Sequence, residues 1–312
     1  MAVLTKQPEG TRSILLSRHL VGRSRLADLR MTEPTVSGEH AVLRWSGREW
    51  ELHDLGSRNG TIVDGRKMAP GERVALAGGA VIAFGQADNT WKLTDDAAPT
   101  VMAIATETGE VMCASDHLLA LPSEDHPDAV VYRDSAGEWV LEQGGEAARV
   151  TDRQTIRVAG QDFLLRVPDM IAATWDNSSP APQLRALTLR FAVSRDEEYV
   201  ALTAHGEHKV IDLGARAHHN VLLMLARSRL DDRKAPPAAR PGASPESAEG
   251  WVYQDELADK LAIDENHLNV AVFRCRRQLA EAGIIGAADI VERRRPTREV
   301  RLGVSNIEIV TV

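Results

Sequence analysis

Near the N-terminus, three side chains able to hold a ligand each stand beside a glycine: Gly22-Arg23, Ser37-Gly38 and Asn59-Gly60. Arg23 offers a planar, always-charged fork suited to phosphate. Ser37 offers a hydroxyl donor. Gly38 has no Cβ, so its backbone N–H can approach a ligand closely. A second set lies in the C-terminal third, where residues 250–283 read as helix, turn, helix. Asp255–Leu261 form the first helix and Ala262-Ile263-Asp264 the turn, with Asp264 placed to cap the next helix. In that helix Leu268, Val272, Cys275 and Leu279 share one face, with Ala271 beside them, and must be core. The opposite face carries Asn266, Val270, Phe273, Arg274 and Arg277, flanked by Asn269 and Arg276, with His267 next to Arg274. Arg and Asn are the side chains that read guanine and adenine edges in the major groove. Val270 and Phe273 could touch thymine methyls or mark a protein contact. Beyond the helix, Arg293-Arg294-Arg295-Pro296-Thr297-Arg298 reads as the basic tip of a hairpin, suited to backbone phosphate.

Other chemistry-bearing residues weigh less. His218-His219 lie at a Leu- and Ala-rich helix, where adjacent residues do not face each other, and read as core plus surface rather than a metal site. Asp231-Asp232 read as a solvated helix end. There is no GxxxxGK[ST] loop, kinase HRD or DFG set, GxSxG elbow or HExxH helix, so an enzyme is not expected. Cys113 and Cys275 form no CxxC pair or Cys/His cluster, so neither metal, cofactor nor disulfide framework is expected.

The elements that must position these residues are mostly short strands. AVLRW (41–45), EWELHDL (49–55), TIVDG (61–65), AVIAFG (80–85) and NTWKLTD (89–95) are punctuated by Gly, Asp, Asn and Ser, which suits an antiparallel sandwich. A linker at 95–100 leads to a second β-rich stretch over 101–168. There SAGEWVLEQG (135–144) echoes SGREWELHDL (46–55). A degenerate second sandwich and an unrelated sheet both fit. After a linker at 170–183, three strands run to residue 213, and helical spacing then sets in. The Pro/Ala/Gly/Ser-rich stretch within 231–250 reads as a disordered insertion. The expected organisation is multi-domain, mainly β plus α+β, with boundaries at 1–96, 97–180 and 181–312.

Charge is uneven along the chain. The formal net charge is −8, yet residues 97–180 carry 14 Asp/Glu against 5 Arg, a net of −9, while residues 265–301 carry 8 Arg against 5 Asp/Glu, a net of +3. This asymmetry suggests that the acidic segment shields the basic tip. The N-terminus lacks the apolar core of a signal peptide, and no apolar helical run is long enough to span a bilayer, so a soluble cytoplasmic protein is expected.

Gly22-Arg23, then Ser37-Gly38-Glu39-His40, then Leu55-Gly56-Ser57-Arg58-Asn59-Gly60-Thr61, with Gly65 and the ending LAGGAVIAFG, together resemble the forkhead-associated (FHA) domain over about 80 residues. The resemblance implies an N-terminal β-sandwich that binds phosphothreonine peptides, with a Ser/Thr kinase or its substrate as partner. It implies that Arg23 and Ser37 hold the phosphate, that Asn59 bonds the peptide backbone, and that Arg58 can also reach the phosphate. Gly38 lies in the same loop. Gly22, His40 and Gly60 would form the loop scaffold. Glu39 departs from the basic or amide residue common in the family and adds a negative charge near the pocket. Residues 184–304 resemble, with less specific motifs, the winged helix-turn-helix output domains of bacterial response regulators. That implies double-stranded DNA as a second partner, with Asn266, His267, Val270, Arg274, Arg276, Arg277, Arg293, Arg294, Arg295 and Arg298 as contact residues. The expected protein is a phosphothreonine-reading transcription regulator. The alternative is a non-enzymatic scaffold whose winged helix binds protein.

Overall fold

A computed structural model describes the 312-residue chain apart from residues 116, 135–136, 169–180, 208, 235–247 and 295–296. The chain folds as two compact units: Met1–Met102 with a short segment from Arg166, and Ala103–Leu165 with the C-terminal residues to Val312.

The first unit is a two-sheet sandwich. One sheet has the order β2-β1-β11-β10-β7-β8, built from Arg12–Ile14, Val3–Lys6, Thr90–Asp95, Val81–Phe84, Thr61–Val63 and Arg66–Lys67. The other has the order β4-β3-β5-β6-β9, built from Leu29–Arg30, Arg18–Gly22, Ala41–Trp45, Trp50–Asp54 and Arg73–Leu76. Alternation drives the packing: in β6 Trp50, Leu52 and Asp54 point inward while Glu51 and His53 are half-exposed. Trp50, Leu52, Ile82, Phe84 and Leu93 are fully buried in the core between the sheets. The Trp50 indole N–H donates to Ala97 O at 3.1 Å, which satisfies its polar end. The strands expected between 41 and 95 are present. The sandwich begins at Val3–Lys6, which forms β1 and pairs with β11.

The second unit opens with another two-sheet arrangement. One sheet has the order β13-β12-β19-β18 (Val111–Cys113, Met102–Ala105, Gln161–Arg166, Thr155–Val158). The other has the order β14-β15-β16-β17 (Leu118–Pro122, Pro127–Arg133, Trp139–Gln143, Glu146–Arg149). These are the first sandwich's orders β2-β1-β11-β10 and β3-β5-β6-β9, taken in the same chain sequence.

A four-stranded sheet follows, in the order β22-β21-β20-β26 (Val210–Ala215, Val200–His205, Thr188–Val193, Asn306–Thr311), with β26 parallel to β20. Next come α1 (His219–Lys234), α2 (Gln254–Leu261) and α3 (Glu265–Glu281). A small sheet of β23 (Val252–Tyr253), β25 (Glu299–Leu302) and β24 (Val291–Arg294) completes the unit. Asp264 caps α3 as expected, accepting the His267 N–H at 2.8 Å, and Leu268, Val272, Cys275 and Leu279 are buried in a core shared with α1 and the strands. The helix before the insertion reaches Lys234, so the expected insertion boundary at 231 falls inside α1. There Arg233 and Asp232 bond Glu249 and the Gly250 N–H, which ties down the helix end. The rest of that insertion, and most of the linker expected at 170–183, lie outside the described residues.

The expected split at residue 180 also differs from the packing. The outer face of the β14–β17 sheet carries Leu118, Ala120, Val130, Tyr132 and Val140, which form one buried cluster with Phe273 of α3 and Ala288 of a 3-10 turn. This apolar contact joins residues 103–165 to the C-terminal elements.

Candidate functional site

The loops at one end of the first sandwich bring together the N-terminal candidates. Arg23 follows β3, and its N–H donates to Ser37 O at 2.9 Å, while the Ser24 N–H donates to Gly38 O at 2.9 Å. The β3–β4 loop and the segment before β5 therefore zip together through backbone. Gly22 makes this possible: a Cβ there would lie 2.2 Å from Gly38 O. The Arg23 Nε–H reaches Val36 O at 3.3 Å, which leaves the rest of its fork exposed to solvent.

The next loop is pinned against these two. The Arg58 N–H donates to Ser37 Oγ at 3.0 Å, and Asn59 Nδ2 donates to Thr35 O at 2.7 Å. With Ser37 Oγ accepting from backbone, its own O–H is left to donate outward. Arg23, Arg58 and Asn59 are all exposed, and among the described residues no carboxylate pairs with either arginine. Glu39 is exposed in the same loop.

Two buried groups hold the loops. His40 Nδ1 accepts the Ser37 N–H at 3.0 Å, which fixes the tautomer so that Nε2–H donates to Gly60 O at 3.2 Å. Burial lowers the His40 pKa, so the neutral ring that this pattern needs is favoured. Asp54, at the end of β6, accepts from the Gly56 and Ser57 N–H groups at 2.9 Å and from the Ser57 and Thr61 hydroxyls at 2.7 Å. Burial pushes the Asp54 carboxyl up, but these bonds outweigh it and hold the pKa below the usual range. Gly60 turns the chain at φ +85°. Motif reading supplies His40 and Gly60 but misses Asp54, Ser57 and the Thr35 carbonyl. An Asp followed at short range by Gly, Ser and Thr is the signal for the missed carboxylate.

The C-terminal candidates separate into three groups. Asn266, His267 and Arg274 are exposed on α3, and Val270 is half-buried. Arg277 pairs with Glu281 at 2.8 Å and with Glu124, Arg298 pairs with Glu265, and Arg294 bonds Glu299 while lying over the Trp251 ring at 4.1 Å. Arg276 is buried and the side chain of half-buried Arg293 is covered, and their guanidiniums converge on the Glu142 carboxylate of β16 at 3.0 and 2.6 Å. The helix face expected to be open around Phe273 and Arg276 is thus covered, because its apolar and basic side chains match the apolar and acidic face of the β14–β17 sheet. Arg295 lies outside the described residues.

His218 and His219 do not face away from each other. Their Nε2 atoms lie 2.9 and 2.8 Å from one Gln278 Oε1, and burial lowers both pKa values. Among the described residues no group of three or more His, Cys, Asp or Glu could hold a metal ion, and no helix is long and apolar enough to cross a membrane.

Residues 19–85 match the FHA domain family model. The FHA domain-containing protein FhaB of Mycobacterium tuberculosis is 40% identical over 57 residues, which is 18% of this chain and 37% of that protein. The chain thus spans well under half the length of this curated relative. A solved structure from work on phosphothreonine-dependent FHA domain interactions is 28% identical, with TM-score 0.27, and the match covers 31% of this chain and 98% of that one. The structure of Mycobacterium tuberculosis EmbR in complex with a low-affinity phosphopeptide is 24% identical, with TM-score 0.28, over 31% of this chain and 25% of that one. The motif, the pinned loops and the family match agree: this chain carries an FHA domain over residues 19–85.

Proposed function

We propose that the FHA domain reads phosphothreonine on a partner protein, a Ser/Thr kinase or its substrate, and that the chain relays this signal without catalysing a reaction. The observation that carries the reading is the loop cluster itself. Two exposed arginines, Arg23 and Arg58, stand on loops that are joined through Ser37 and held by His40 and Asp54. A phosphothreonine ester carries nearly two negative charges and several strong acceptors, and such a cluster suits it. Asn59, fixed to Thr35 O by one N–H, keeps Oδ1 for a peptide backbone donor. Titration with a phosphothreonine peptide library tests this. Arg23→Ala should weaken every bound peptide by roughly 100-fold, about 2.7 kcal/mol and the upper range for one charge-assisted hydrogen bond. Absence of any phosphate-dependent binding to the unaltered chain would sink the reading.

For the C-terminal part, α2, the three-residue turn, α3 and the β24–β25 hairpin support a winged-helix reading, with DNA as its partner. Exposed Asn266, His267 and Arg274 near the start of α3 suit base edges, and Arg294 and Arg298 on the hairpin suit phosphate. The scaffold alternative, in which this module binds protein, draws support from Phe273, which is already buried against a β-sheet. Capture of a protein that survives high salt and nuclease would favour the scaffold.

A further inference from the structure

We propose that Arg276 and Arg293 form an oxyanion cradle for a DNA backbone phosphate, and that the Glu142 carboxylate occupies it here as an internal substitute. This rests on the winged-helix reading above.

The two guanidiniums come from the two elements, α3 and β24, that the reading would place on a duplex. Each is also held by neutral acceptors of its own C-terminal module. Arg276 Nε–H donates to Ala288 O at 2.7 Å and its Nη2 to Val291 O at 3.1 Å. Arg293 Nη1 donates to Gln254 Oε1 at 2.7 Å and Nη2 to Asn269 Oδ1 at 3.3 Å. The cradle is therefore formed whether or not Glu142 is present. Its positive charges, by contrast, meet a side-chain carboxylate at hydrogen-bond distance only through Glu142, among the described residues.

The fit to a carboxylate is incomplete. Arg276 Nη1 and Arg293 Nε are buried with no hydrogen-bond partner. A phosphodiester carries the same single charge as a carboxylate, with oxygens arranged tetrahedrally rather than in a plane. Tyr132 lies under the Arg276 guanidinium at 4.6 Å and adds a π-face to the internal arrangement.

The covering sheet is built for this contact. Strand registers align β3-β5-β6 with β14-β15-β16, so that Arg18, Arg44, Glu51 and His53 of the first sandwich correspond to Leu118, Tyr132, Val140 and Glu142 of the second. Charged outer positions have become an apolar patch with one carboxylate at the point where the two arginines emerge. Glu142 and a phosphate would fill the same space, so docking of the sheet and binding of a duplex exclude each other.

Fluorescence anisotropy with a labelled mixed-sequence duplex at low salt tests this in the full chain, with amide exchange of α3 as the measure of uncovering. Glu142→Gln removes the charge and keeps the shape. Val140→Glu copies the first sandwich's Glu51 and serves as the second variant should Glu142→Gln fail to fold. Either variant should raise exchange in α3 and tighten duplex binding at least tenfold, and adding Arg293→Ala should remove that gain. Equal duplex affinity in wild type and an uncovered variant would overturn the cradle and leave the DNA reading standing. No duplex binding by any uncovered variant would overturn both.

Discussion

The two sandwiches of this chain share strand order and register yet differ in everything that meets the outside. In the first, Gly22 leads into a long connection that carries Ser24 to Glu39, and Asp54 leads into the loop that carries Arg58 and Asn59. In the second, β14 ends at Pro122 and β15 starts at Pro127, so the counterpart of the first connection is only a few residues long. Asp54 corresponds by register to Gln143, whose side chain bonds Arg157 O instead of organising a loop. Among the described residues the second sandwich therefore carries no counterpart of the loop cluster of the first, and we infer that it is a degenerate FHA-like copy. Its outer sheet face has taken on a different task. The core pattern of a sandwich can thus persist while loops and outer positions, which the core does not constrain, are rebuilt.

The comparison breaks most visibly at Tyr132. Tyr132→Arg would restore the residue type of its counterpart Arg44, but it would set a cation beside Arg276 in a buried cluster. Burial pushes the Tyr132 phenol up to about 12, a sign of how poorly this desolvated site takes a further charge. The expected loss for the second unit is about 4 kcal/mol, the range for burying an uncompensated charge, read as a drop in its denaturation midpoint.

A second contrast lies at His19, whose counterpart by register is Leu119. Burial lowers the His19 pKa to about 4, against the opposing pull of Asp28. Below pH 6.5 the unfolded chain takes up a proton that the folded sandwich refuses until about pH 4. Stability contributed by the neutral ring is complete above pH 6.5 and falls as pH drops through this window, by about 3 kcal/mol in all. His19→Leu should flatten most of that slope. His40, also depressed by burial, leaves a residue of acid sensitivity. Denaturation of the FHA unit between pH 4 and 8 is the measurement, and an unchanged slope in His19→Leu counts against a neutral buried ring.

Much of this was legible in the residues themselves. Alternation located the strands of the first sandwich between 41 and 65 and between 80 and 95 and marked 101–168 as β-rich, Asp264 announced the start of α3, and the Gly-Arg, Ser-Gly and Asn-Gly sets lie on the loops that the structure brings together. Three features were not legible locally. Strands β1 and β26 depend on partners about 90 and 118 residues away, Leu4 on Leu93 and Asn306 on Thr188, and their own sequences carry no sign of that pairing. The covering of α3 had a sign that pointed two ways: Phe273 and Val270 on a face otherwise basic suit thymine methyls as well as a protein contact. Only the sheet that bears Glu142 and Tyr132 distinguishes them.

Asp54 offers a smaller and more local test. Asp54→Asn keeps the shape of the side chain but replaces one acceptor oxygen with a donor, which must then face either the Ser57 and Thr61 hydroxyls or the Gly56 and Ser57 N–H groups. The hydroxyls can rotate to accept, so the cost is limited to about 2 kcal/mol, the scale of one hydrogen bond to a charged acceptor. Phosphopeptide affinity should fall with it, because the loop bearing Arg58 and Asn59 loses its anchor. Gln143→Asp in the second sandwich should produce no phosphopeptide binding there, since no loop follows it to be organised.

The smallest effect is expected from the reciprocal of the first change, Arg44→Tyr. Arg44 is exposed and pairs across the sheet with Arg18 and Glu51. Tyrosine suits a strand position at least as well as arginine, and removing one of two cross-strand like charges offsets the loss of the Arg44–Glu51 attraction. Stability should stay within about 0.5 kcal/mol of the unaltered chain, the range for surface substitutions away from specific contacts. Together with the large loss at Tyr132, that asymmetry would place the cost in the contact with α3 and not in the strand. A loss at Arg44 as large as at Tyr132 would instead make both effects a property of the shared fold, and the two outer faces would no longer be distinguished by what they touch.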